Sequence, residues 1–219
     1  LIPAGDITLN NATLNQLSGG TIDSNNKITL TASTFVFADA NTVAGLSLNN
    51  LSGSAVMLKS ESGTLVVNGS IQGTSQNSDS TQAAKITGNI SLGGMLRTLW
   101  TSPLLVNGMI VDPDIPTLTI AASITDGTLA VDGTGIVALA ANNTYKGGTK
   151  LMGGTLKLLG GVGGELGTAL TAGPVSLLGG VLDFASYTRY NIGALVGTGS
   201  LSLTSNSGTM RLTIGNTAN

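Results

Sequence analysis

Apolar and polar residues alternate along almost the whole chain, in runs of about four to seven residues. "DITLNNATL", "NKITLTASTFVF", "AGLSLNN", "GTLVVNGSI", "KITGNISL", "PTLTIAASI", "GTLAVDG", "GTLKLLG", "GSLSLTS" and "GTMRLTIG" share this rhythm, each bounded by Gly, Asn, Asp or Ser. A period of two with turn residues at both ends predicts short strands. Helix signals are scarce, because Gly, Thr, Ser, Asn and β-branched residues are spread throughout and each opposes a helix by its own mechanism.

A longer rhythm overlies the short one. A Gly-(Thr/Val)-(Leu/Ile/Met) element stands at Gly20-Thr21-Ile22, Gly63-Thr64-Leu65, Gly127-Thr128-Leu129, Gly154-Thr155-Leu156, Gly180-Val181-Leu182 and Gly208-Thr209-Met210. The last four are almost evenly spaced along the chain. The two earlier gaps are wider and read as two and three slightly shorter units of the same kind. Near-constant spacing in an all-strand chain predicts a coil wound once per repeat. The expected fold is all-β, a right-handed parallel β-helix (β-solenoid) of roughly 8–10 coils with few or no helices. Leu, Val and Ile would stack inside it, with Gly and Asn at the corners. An antiparallel sandwich is the rival, since closely spaced turn signals also fit it.

The chain reads as one continuous domain with two parts, residues 1–134 and 135–219. The polar stretch near 70–85, "SIQGTSQNSDSTQAAK", predicts a protruding loop. The stretch 97–116, with the single Trp and three of the five prolines, predicts an insertion or a change of coil shape. No leader is visible at Leu1, and both ends read as cuts in a longer polypeptide. No apolar run reaches the roughly 18 residues that span a bilayer.

Composition narrows the chemistry. Charged residues make up 9% and aromatics 3%, against 41% hydrophobic residues and 32 glycines. Ordinary globular domains carry roughly 25% charged residues. A net charge of −2 offers nothing to nucleic acid or to an anionic membrane surface. Cysteine is absent, which removes disulfides and thiolate chemistry, and histidine is absent, which removes the usual general base and metal ligand.

"NNTYKGGTKLMGGTLKLLG", Asn142 to Gly160, has the glycines and lysines of a phosphate loop in the wrong order and no helix after it. It is better read as a structural repeat, with Lys146 and Lys150 outside, Leu151, Leu156 and Leu158 inside, and Tyr145 packed at a corner. Over Gly135 to Phe184 it resembles the autotransporter-associated β-strand repeat, also called the passenger-associated transport repeat. Asn143, Thr144, Tyr145, Gly147 or Gly148, Thr149, Gly154, Thr155, Leu156 and Leu158 fall on that family's pattern. The resemblance implies a β-helical passenger of a secreted or surface-displayed bacterial protein, with a role in its passage or folding at the outer membrane.

Acidic residues are few and mostly beside turn residues. Asp112 and Asp114, or Asp126 and Asp132, are the pairs on which calcium could sit, but neither matches a known calcium loop, and solvated turn acids are the better reading. Glycoside cleavage needs converging carboxylates, for which Asp112 and Asp114 are the only close pair. Thr29-Leu30-Thr31 and Thr117-Leu118-Thr119 are too few for an ice-binding array. Tyr187 and Tyr190, on either side of Arg189, form the most ligand-like cluster, with packing the more ordinary role.

The sequence therefore predicts no catalytic, cofactor-binding or metal residue and no enzyme. The expected role is a rigid stalk or adhesin passenger outside the cell or on a bacterial outer surface. Its expected partners are further repeats of the same polypeptide, copies of itself and surface glycans. Two alternatives stand beside it: a self-assembling filament or surface-layer subunit, and a β-helix that binds or cleaves polysaccharide.

Overall fold

The computed structural model describes residues 4–51, 56–75, 83–106, 108–110, 114–159, 173–185, 189–203 and 211–215. Among them there is no helix. Two large sheets run the length of the molecule, one of nine strands and one of ten, and every strand pair within them is parallel. The chain alternates between the two sheets, which makes it a parallel β-helix and excludes the antiparallel sandwich. Among the described residues the only antiparallel pair is the short hairpin Leu105–Val106 with Met109–Ile110. Nine rungs at about 4.8 Å make a rod about 40 Å long.

The alternation seen in the sequence becomes an inside and an outside. In the first sheet Ile28, Leu46, Ile71, Leu99, Val131, Leu151 and Leu177 stand in register, one per rung, all buried. Phe35, Leu58, Ile86, Ile120, Leu139 and Leu158 form the matching column in the second sheet. Each such side chain contributes roughly 1.5–3 kcal/mol of burial, and together they make one continuous core. The few aromatics join it: Phe35 and Phe37 stack with ring centroids 4.3 Å apart.

A short third wall bends off the second sheet. The strand Met57–Val67 shifts register between Lys59 and Thr64. Its first part pairs with Thr34–Phe37, and its last part with Asn41–Val43. Ile90 and Ile124 continue this wall on later rungs.

Two expectations about the chain's excursions are narrowed by the strands. In the polar stretch 70–85, Ile71–Ser75 is a strand of the first sheet and Lys85 lies within a strand of the second; residues 76–82 lie outside the described residues. In the stretch 97–116, Leu96–Thr101 is an ordinary rung, so Trp100 belongs to the sheet. The sheets run without a break across residue 134.

Candidate functional site

The Gly-Thr-Leu elements do not all occupy the same place in a coil. Ile22 and Leu65 lie on the third wall, Leu129 in the first sheet, and Leu156 and Leu182 in the second; Gly208 to Met210 lie outside the described residues. A glycine followed by a β-branched and an apolar residue opens a strand at any corner, so the motif marks turns and not coil phase. Coil length varies as well: Ile28 pairs with Leu46, whereas Ile86 pairs with Ile120, a much longer step along the chain. The true structural series is Gly135, Gly154, Gly180 and Gly199, each opening a strand of the second sheet.

That series explains why glycine is required. Gly154 and Gly180 have φ of 65° and 69°, a backbone that L side chains adopt at a cost of about 1–2 kcal/mol. A Cβ at Gly154 would lie 2.7 Å from the Gly135 carbonyl oxygen, and one at Gly180 2.3 Å from that of Gly154. The corners of successive coils rest directly on one another.

The Asn-Thr-Tyr segment is a corner plug. Asn143 Oδ1 accepts the Ile124 N–H at 3.0 Å, and Asn143 Nδ2 donates to the Ala141 carbonyl at 3.0 Å. The side chain thereby pairs a backbone donor of the coil before. Tyr145 is fully buried, and its hydroxyl shares a 2.7 Å hydrogen bond with Thr149, itself buried. Burial pushes the Tyr145 phenol above its ordinary range, while the Thr149 hydrogen bond acts the other way. Lys146 and Lys150 are exposed, and Leu151, Leu156 and Leu158 are buried, as expected of a structural repeat. Asn41 repeats the Asn143 geometry: its Oδ1 accepts the Ile22 N–H at 3.0 Å and its Nδ2 donates to the Asp39 carbonyl. The shared Asn-Thr-apolar wording of residues 41–43 and 143–145 is the signal that could have found this earlier corner.

Most of the described acids are dispersed. Asp6, Asp23, Asp39 and Asp126 accept hydrogen bonds at turns, from Lys27 N–H, Asn25 N–H, Gly19 N–H and the Ser91 hydroxyl. Asp126 precedes the strand Thr128–Gly133 and Asp132 lies near its far end, so that pair does not converge. Asp112 lies outside the described residues, as do Asp79 and Glu165. Among the described residues no three His, Cys, Asp or Glu side chains come together. Asp114 instead meets Lys157, whose Nζ lies 3.6 Å from Asp114 and 3.9 Å from Asp183. Asp183 also accepts the Ala185 N–H at 3.1 Å. This trio fastens the excursion before Thr117 onto the outer face of the second sheet. No local pattern hints at it, because the three positions are far apart in the chain.

Tyr190 is buried and meets Phe184 edge-on, with centroids 4.4 Å apart; Tyr187 lies outside the described residues. The two Thr-x-Thr segments fall in different sheets and do not stack; Thr117 is buried, its hydroxyl donating to the Ser102 carbonyl.

The outer face of the first sheet carries what the sequence reading missed. Thr8, Thr29, Ser47, Gln72 and Trp100 stand in register on five successive rungs, all facing outward. Beside them Thr31, Asn49 and Thr74 form a second row joined by side-chain hydrogen bonds from Asn49 Nδ2 to Thr31 and from the Thr74 hydroxyl to Asn49. A groove of about 430 Å³ lies along the first row, flanked by Lys27, Gly45 and Ser70. Trp100, the single tryptophan, is 37% exposed.

Comparison with protein-family models, with curated proteins and with solved structures gives no match for this chain.

Proposed function

We propose that the chain is a structural segment of a secreted or cell-surface bacterial β-solenoid, a stiff rod that holds other parts of its polypeptide away from the surface. The observation that carries this reading is the continuous parallel ladder. Nine rungs are joined by backbone hydrogen bonds around one aliphatic stack, without a disulfide. Each coil contacts its neighbours, so folding can propagate coil by coil as the chain emerges from an export channel. The resemblance of Gly135 to Phe184 to passenger-associated repeats supports the same reading, and the Asn143–Tyr145 corner gives those motif residues a mechanical role.

One further observation is shared by the stalk reading and the filament reading. Leu201 continues an interior column whose other members, Val137, Leu156 and Leu182, are fully buried, yet it is 36% exposed. A further coil, from the same polypeptide or from another copy, would cover it. Analytical ultracentrifugation separates the two, since a filament subunit grows with concentration and a stalk segment does not.

The test of the main reading is location. Antibodies raised against the purified chain should label intact cells or the culture supernatant. Labelling that appears only after lysis would overturn the proposal.

A further inference from the structure

We propose that the groove on the outer face of the first sheet, together with Trp100 on the rung beyond it, binds a neutral polysaccharide chain. This rests on the proposed extracellular scaffold and adds the surface by which the scaffold holds its target. Three observations converge on it.

The first is the groove itself. Gly45, in register with Lys27 on the rung before, carries no side chain, and Thr29, Ser47 and Gln72 line the groove. Among the described residues, none hydrogen-bonds the side chains of Thr29, Ser47, Gln72 or the Trp100 indole. Two hydroxyls and an amide, each able to donate and accept, therefore face solvent in a straight line at about 4.8 Å intervals. Such a row matches an extended polymer of hydroxyl-bearing rings better than a compact ligand.

The second is the aromatic ring. Every other described aromatic side chain is buried, so leaving this indole outside is a departure from the rest of the chain. Trp100 stands next to Gln72 in register, one rung beyond the residues that line the groove. An indole offers an apolar face to the C–H face of a sugar ring and an N–H donor to its hydroxyls.

The third is charge. From Thr8 to Trp100 the row is neutral, with Lys27 at one margin and Asp132 on the rung beyond. A polyanion, nucleic acid or acidic glycan, would call for a basic stripe that is absent from this row. A neutral glycan needs none.

The single tryptophan makes the test direct, because all indole emission comes from Trp100. The purified chain would be run through native gels cast with galactomannan, hydroxyethyl cellulose, laminarin or dextran, with polygalacturonate and heparin as charged counterparts. At least one neutral polymer should retard the chain, blue-shift its emission and shield the indole from acrylamide. Trp100→Ala should weaken retardation about tenfold or more, Trp100→Phe should restore part of it, and Gln72→Ala should weaken it several-fold. Unchanged melting of these variants would show that the fold is intact. Retardation by none of the neutral polymers, equal retardation of Trp100→Ala, or binding of the charged polymers alone would overturn the proposal. The scaffold reading is judged by cell labelling, which does not involve Trp100, so the two can fail separately.

Discussion

Among the described residues, the coils between residues 45 and 125 have wide walls, and those between 135 and 202 have narrow ones. The wide ones use strands of up to eleven residues, such as Met57–Val67, with Ala84–Ser91 and Leu118–Thr125 at eight each. They enclose a third wall carrying Leu65, Ile90 and Ile124. The narrow ones use strands of three or four residues, Thr149–Leu151, Thr155–Leu158, Val175–Leu177 and Val181–Asp183. With so few residues per wall, a narrow coil leans more on its described corners. Its stability therefore depends on glycines that let backbones touch, and on Tyr145, which fills the place where a third wall would stand. The wide coils rest on aliphatic area and can absorb a register shift within a strand.

The largest break in this comparison should come from the plug. Tyr145→Ala empties a fully buried aromatic site and should cost about 3–5 kcal/mol in denaturant unfolding. A much smaller loss would show that the narrow coils close up without it.

Glycine substitutions come next. Gly180→Ala forces a Cβ against the Gly154 carbonyl at positive φ and should cost about 3 kcal/mol. Gly94→Ala, at φ 73° but with nothing within 4 Å of its Cβ, should cost only about 1 kcal/mol. Equal losses would remove the distinction between packed and open corners.

The two asparagine corners allow a matched test. Asn143→Ala leaves the Ile124 N–H without its acceptor and should cost about 1–3 kcal/mol. Asn41→Ala, which strips the same bond from Ile22, should cost a similar amount, measured by the same unfolding curves.

Alkaline pH probes the plug more finely. The fold keeps the Tyr145 phenol neutral, so the unfolded chain ionises first as pH rises past about 10. Its contribution is intact below that pH and is lost above it, at up to about 1.4 kcal/mol per pH unit. Tyr145→Phe should reduce this alkaline loss, while costing about 1 kcal/mol at neutral pH for the unpaired Thr149 hydroxyl. An unaltered alkaline slope would count against a buried, neutral phenol.

The smallest effect belongs to the fastening on the second sheet. Asp114 is largely exposed, so Asp114→Asn should change stability by about 0.5 kcal/mol or less, and about 1 M salt should abolish the difference.

Much of this was legible in the residues. Period-two alternation with turn residues between strands determined an all-β chain, and the scarcity of charge and aromatic residues agreed with an aliphatic stack. The wording of residues 143–158 placed the inside leucines, the outside lysines and the buried Tyr145. Each of those outcomes depends on near neighbours in the chain, which a linear pattern records.

Tertiary structure decided the rest. Which wall each Gly-Thr-Leu element occupies depends on how many residues each preceding corner consumed, and that is set by cross-coil packing. The meeting of Lys157 with Asp114 and Asp183, and the alignment of Thr29, Ser47, Gln72 and Trp100, arise from register between coils of unequal length. Local pattern tells each side chain to face in or out, but only the stacking of coils determines which outward side chains become neighbours.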